Sequence, residues 1–83
     1  EDFDEAQEPR LHSVTIAPGA VAVGRSLGEL SLAGIGVVVT ALRRQDTRMI
    51  SPGPQTALRE GDVVVLRGTA EQLAAAEMRL LQR

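Results

Sequence analysis

The spacing of apolar residues changes several times along this 83-residue chain, and each change marks an element. Arg10 to Ala17 alternates, with Val14 and Ile16 on one side and Thr15 between them, which predicts a strand. Pro18-Gly19 turns it off, and the short apolar stretch Ala20 to Val23 is broken by Gly24. Ser26-Leu27-Gly28-Glu29 has the spacing of a capping box, in which the serine hydroxyl accepts a backbone N–H and the glutamate returns the bond. It predicts a short helix with Leu27, Leu30 and Leu32 inward, stopped at Gly34, although Gly28 inside it costs about 1 kcal/mol relative to alanine.

Ile35 to Leu42 is the longest strand candidate, and its three consecutive valines suit a central position. Arg43-Arg44-Gln45-Asp46 reads as a hairpin turn, and Thr47 to Ser51 as the return strand, with Met49 or Ile50 inward. Pro52-Gly53-Pro54 removes two donors and ends that strand. Gln55 to Leu58 is a connection anchored by Leu58, and Glu60-Gly61-Asp62 is turn chemistry. Val63 to Leu66 is an unbroken apolar run, the pattern of a strand covered on both faces. After Gly68, Thr69-Ala70-Glu71-Gln72 fits a second capping box. The helix it opens carries Leu73, Ala76 and Leu80, flanked by Met78 and Leu81, as an apolar stripe. Arg79 and Arg83 fall in its last turns, where cations favour the dipole. The order strand, short helix, three strands, helix predicts an α+β fold: one mixed or antiparallel sheet with helices on one side.

Composition narrows what such a fold can rest on. A chain of this length makes one domain at most and buries only about 60 to 65% of its unfolded surface. The single aromatic, Phe3, lies in the N-terminal segment, so the core is aliphatic. There is no cysteine, hence no disulfide and no thiolate zinc site. Association with a second copy is the remaining common source of stability, and a homodimer is expected.

The net charge of −2 is unevenly spread. Residues 1–9 hold Glu1, Asp2, Asp4, Glu5 and Glu8 and no base, while residues 10–83 hold nine arginines against six acids. Residues 1–10 read as an acidic linker or tail, and residues 11–83 as the folded unit. The mild basic excess comes without a basic run or an aromatic for base stacking, which argues against a nucleic-acid partner. No apolar segment approaches the ~20 residues that span a bilayer, so no direct membrane insertion is expected of this fragment. Its lack of an initial Met suggests a piece of something longer.

Catalytic chemistry is poorly supplied. The chain has no Lys, Cys or Tyr, and His12, the only histidine, lacks His or Cys partners for zinc and a nucleophile to activate. A surface strand position explains it better. Gly19 to Gly24 followed by Arg25-Ser26 superficially resembles a phosphate loop but lacks the Gly-Lys-Ser/Thr ending; a turn feeding a capped helix accounts for it. Glu60 and Asp62 are explained by the turn, and no dense Asp/Asn loop points to calcium. Arg43 and Arg44 can grip a phosphate or carboxylate with their guanidinium forks, or form a structural ion pair with Asp46 or Asp62. The valine runs 37–39 and 63–65 are core by default, with part dimer interface as the alternative.

Four segments in order resemble the TrkA-C domain, also called the RCK C-terminal domain. They are Val23-Gly24-Arg25-Ser26-Leu27-Gly28-Glu29-Leu30, then Val37-Val38-Val39-Thr40-Ala41-Leu42-Arg43-Arg44, then Pro54 with Leu58, then Gly61-Asp62 through Gly68 with Leu73. The match covers roughly residues 11–80. It departs at Gln45-Asp46-Thr47, where the family often has a glycine turn. The resemblance implies a β-α-β-β-β-α domain that is not catalytic and dimerises. It implies a cytoplasmic regulatory module of a potassium channel, a potassium-uptake gating subunit or a cation/proton antiporter, at the cell membrane. It also implies a dimer cleft that in several members takes a small ligand, such as a cyclic dinucleotide, a nucleotide or a metal ion, with no required cofactor. Arg44 stands at the family's arginine. Arg44 first, then Arg43, with backbone near Gly36 and Val37, are the expected ligand contacts. The alternatives are a pure assembly module of a transporter and, less well supported, a small enzyme or enzyme subunit.

Overall fold

The computed structural model describes residues 8–82. Most of the acidic segment, residues 1–7, and the helix-end cation Arg83 lie outside the described residues; Glu8 and Pro9 are exposed, and the first strand begins at Arg10. The elements are β1 Arg10–Thr15, α1 Leu27–Leu30, α2 Leu32–Ile35, β2 Val38–Arg44, β3 Thr47–Ile50, β4 Val63–Gly68 and α3 Ala70–Leu81. The strands form one sheet in the order β1-β4-β2-β3, and every pairing is antiparallel.

Both capping boxes form. Ser26 Oγ accepts from Glu29 N at 3.2 Å while Ser26 N donates to Glu29 Oε1 at 3.0 Å. Thr69 Oγ1 accepts from Gln72 N at 3.2 Å, and Thr69 N donates to Gln72 Oε1 at 2.9 Å. These bonds satisfy orphan donors at two helix starts, each cap stabilising its helix by about 1 kcal/mol.

The first helical region departs from the expected single helix. Ser31 takes a left-handed conformation at φ 55°, which interrupts the ladder, and α2 resumes at Leu32. Gly34 does not stop it. The stop is Gly36, at φ 106°, where a side chain would also run into that of Gln72. Ile35 is therefore helical and β2 starts only at Val38. Gly28 has a compensating role within α1: its N–H donates to Pro54 O at 2.8 Å, and an added Cβ would lie 3.2 Å from that oxygen.

The helices cover one face of the sheet. Ile16, Leu42, Leu58, Val64, Leu66 and Leu80 are buried among them, each fully buried Leu or Ile stabilising the fold by about 1.5–3 kcal/mol. Met49 packs against this core, whereas Ile50 points away from it. Arg79, in the last turn of α3, ties the helices together by donating to Leu30 O at 2.9 Å and Ser31 O at 3.3 Å. β4 is central but not covered twice: Val64 and Leu66 are buried, while Val63 and Val65 are half-buried, since the helices form a single layer. Thr40 is an extra residue between Val39 and Ala41 in the pairing of β2 with β4, and its hydroxyl donates to Val65 O at 3.2 Å.

Candidate functional site

The registers place side chains of the helix-free face in three rows. The first is Leu11, Arg67 and Val38. The middle row is Ser13, Val65, Ala41 and Ile50. The third is Thr15, Val63, Arg43 and Arg48. Apolar groups thus fill the centre, with arginines at both ends. Leu11, Val38 and Ile50 are 66%, 59% and 65% exposed, three large apolar side chains turned to solvent on this face. Ala41 is buried yet stands apart from the main core cluster, sheltered on this outer face.

The electrostatics of the face are one-sided. Its rows contain three arginines and no acid. Arg43 and Arg48 are directly opposed across β2 and β3, a pairing of like charges that costs stability. Among the described residues, no carboxylate pairs with Arg43, Arg48 or Arg67. Guanidinium groups in this arrangement suit an anion resting on an apolar floor.

Arg44 is on the opposite face. Its Nε donates to Asp62 Oδ1 at 2.9 Å, and its Nη2 donates to Asp62 Oδ2 at 2.7 Å and to Ala57 O at 2.9 Å. Asp62 Oδ2 also accepts from Arg59 N at 2.8 Å. The carboxylate is 1% exposed. Burial by itself would raise its pKa, but the Arg44 and Arg59 hydrogen bonds and the two arginine charges outweigh that and hold it below the usual carboxylate range. The same bond with Asp62 raises the Arg44 guanidinium. This arrangement fastens the β2 end to the turn before β4.

The four expected contacts therefore do not gather at one point. Arg43 faces outward, Arg44 is held by Asp62, and Gly36 and Val37 sit before the opposite end of β2. Val37 is buried in the core, and Gly36 N–H is bonded to Leu32 O and Ala33 O. Of this group, Gly36 lines a surface depression with Pro9, Val38 and Arg67. Sequence reasoning missed Arg48, Arg67 and Ile50. The two-residue hairpin length was the available signal, since it sets Arg43 opposite Arg48.

Other chemistry is sparse. Among the described residues, no group of three His, Cys, Asp or Glu is arranged for a metal. His12 Nε2 lies 3.3 Å from Glu77 Oε1 on α3, at a half-buried strand position. No helix among the described residues is long and apolar enough to cross a membrane.

A single helical layer on a four-stranded antiparallel sheet, with the other face bare, defines a small α+β domain presenting an open sheet. The TrkA-C domain family profile matches residues 11–81, and the chain belongs to that family. It is 39% identical over 77 residues to a putative K(+) efflux antiporter KefB of Alkalimonas amylolytica, covering 93% of this chain but 12% of that protein. The RCK C domain of the potassium transport protein KtrA, solved with cyclic diadenosine monophosphate, superposes with a TM-score of 0.75 at 25% identity. That comparison covers 90% of this chain and 87% of the KtrA chain. The RCK_C domain dimer of S. agalactiae BusR, in complex with c-di-AMP, gives a TM-score of 0.75 at 21% identity, covering 84% of this chain and 93% of that one. The latter likeness bears on the fold alone.

Proposed function

We propose that this chain is the dimerising, ligand-sensing regulatory domain of a membrane cation transporter, of the kind represented by cation/proton antiporters. It works on the cytoplasmic side, without catalysis. The observation that carries the reading is the open sheet face, apolar at its centre and arginine-lined at its ends. The apolar rows form the seam with a second copy. The exposed guanidinium of Arg43, with Arg48, holds the phosphates of a nucleotide or cyclic dinucleotide at that seam. Arg44 supports this from behind by fixing the end of β2, and Gly36 shapes the entrance beside Val38. Ligand binding then biases the relative placement of two copies, and the attached transporter responds only as far as the ligand distinguishes the two placements.

Family membership, the KefB-like relative and the ligand in the KtrA domain support the reading. The test is thermal melting with cyclic di-AMP, NAD and divalent ions, alongside sedimentation. Binding stabilises the folded state by mass action, by about 2.7 kcal/mol at a hundredfold excess over Kd, and so raises the melting point. The expected result is a dimer, and a shift with one phosphate ligand that Arg43→Ala abolishes. A stable dimer unmoved by every ligand would leave the assembly module instead, a reading that the wholly uncharged middle row favours. Turnover lost in Arg43→Ala would revive an enzyme.

A further inference from the structure

The two edges of the sheet are not equivalent. β3 is four residues long, bounded by left-handed Gln45 and Ser51, and Ser51 N–H turns back to Thr40 O. β1 is six residues long with an unshifted register against β4, and from Leu11 to Thr15 it holds no proline and no Asp, Glu, Lys or Arg. It lacks the devices that ordinarily blunt an exposed edge. We propose that β1 takes up an extended segment of a partner protein as a fifth, antiparallel strand. The segment it fits has a basic residue between two apolar ones at alternate positions. This surface is on the flank of the domain, and the proposal does not rest on the seam assigned above.

Three observations carry the proposal. The first is where the main-chain groups point. One step beyond the β1–β4 register, Ile16 stands opposite Asp62, and Ile16 N–H donates to Asp62 O at 2.8 Å. Antiparallel pairs alternate, so Arg10, His12 and Val14 also turn their main-chain groups to β4, while Leu11, Ser13 and Thr15 turn theirs outward. β1 ends the sheet, so among the described residues no strand meets those N–H and C=O groups. An added extended chain satisfies them together. The second is the wall beside the edge. A groove of about 230 Å³ runs between Leu11 and His12 on β1 and Ala70, Leu73, Ala74 and Glu77 on α3. It continues past Ala74 and Glu77 to Met78 and Leu81. Met78 is 74% exposed and takes no part in the core. Residues of an added strand opposite Arg10, His12 and Val14 turn their side chains to this helix-covered side, where small Ala70 and Ala74 leave room for aliphatic groups. The third is charge. Glu77 is the one acid lining the groove, half-buried beside His12. A cation opposite His12 reaches it, whereas Arg10 disfavours a cation two positions away. A second copy, aligned so that all three outward residues pair, would set its own Val14 opposite His12 and leave Glu77 without a cation.

The test is amide NMR of the full 83-residue chain with the peptide acetyl-Val-Thr-Arg-Thr-Leu-amide. In the free chain the amides of Leu11, Ser13 and Thr15 should exchange with solvent faster than those of His12 and Val14. With peptide, new protection and shift changes should fall on those three amides and on the Met78 methyl, and should spare Arg43 and Ile50. Ser13→Pro removes an outward donor without touching the ladder to β4, so it should abolish binding while the fold persists. Glu77→Gln should weaken binding of this peptide about two- to fivefold and leave a peptide with Gln in place of Arg unaffected. No change at the outward amides at millimolar peptide, or changes centred on Arg43 and Ile50, would overturn the proposal. So would outward amides already protected in the free chain. Protection that fades on dilution would give the edge to a second copy, and protection independent of concentration would show the edge covered from within the chain.

Discussion

Arg44 and Asp62 lock β2 to the turn before β4 through two parallel hydrogen bonds of 2.9 and 2.7 Å, and the Asp62 side chain is almost fully removed from solvent. A buried pair of this kind contributes little net stability when compared with an apolar pair, because both charges are desolvated. Removing one member is a different matter, since it strands the other. Arg44→Ala is expected to cost about 3–5 kcal/mol. Arg43→Ala, one position along but on the open face, should change stability by no more than about 0.5 kcal/mol. Urea unfolding of the two variants measures the contrast, and equal losses would contradict the assignment of the two arginines to different faces.

The same carboxylate sets an acid limit. Its folded pKa lies below its unfolded one, so its contribution is fully present above the ordinary aspartate value of about 3.9 and is lost as pH falls through the folded pKa. Thermal stability should therefore hold through neutral pH as far as this group is concerned and fall in acid. Asp62→Asn should be less stable at neutral pH and should lack that part of the acid slope. Melting curves from neutral pH down to about 2.5 test it; parallel curves for the two proteins would count against the coupling.

Gly36 ends α2 at φ 106° with the Gln72 side chain directly where a Cβ would be. Gly36→Ala therefore combines backbone strain with displacement of the residue that completes the α3 capping box, and should cost about 1–3 kcal/mol. Exposed Gly34 meets nothing within 4 Å and has no positive φ, so Gly34→Ala should be neutral or stabilising by up to about 1 kcal/mol. Denaturation midpoints of both variants decide between them.

Ile50 is largely exposed at the end of the middle row, whereas Leu66 is wholly buried. Ile50→Asp should weaken self-association while leaving monomer stability within about 0.5 kcal/mol. Leu66→Ala should cost about 2–5 kcal/mol. Sedimentation across a concentration series, paired with urea unfolding, separates a seam residue from a core residue.

Much of this fold is legible in local spacing. The Ser26–Glu29 and Thr69–Gln72 boxes, the inward Leu27, Leu30 and Leu32, and the Leu73, Ala76, Leu80 stripe each express chemistry confined to a few neighbours. What escaped depends on distant pairing. Ile35 looked like strand because three valines follow one residue later, but Ser31 and Gly36 set the backbone there. Val63 to Leu66 looked doubly covered because an apolar run does not reveal how many layers surround it. The site suffered most: adjacent arginines read alike in sequence, and only the register gives Arg44 to Asp62 and Arg43 to Arg48.

The extra residue at Thr40 has a consequence for both faces at once. A regularly alternating β2 would turn Val38, Leu42 and Arg44 the same way and send Val39 opposite. With Thr40 inserted, Val39 and Leu42 both serve the core, and Val38 joins Ala41 and Arg43 outside. Were Thr40 instead paired as an ordinary residue of the strand, one half of β2 would turn over, either emptying a core position or exchanging the roles of the two arginines. A single irregular step in one strand thus decides which of two adjacent guanidinium groups braces the domain and which is left to meet its surroundings.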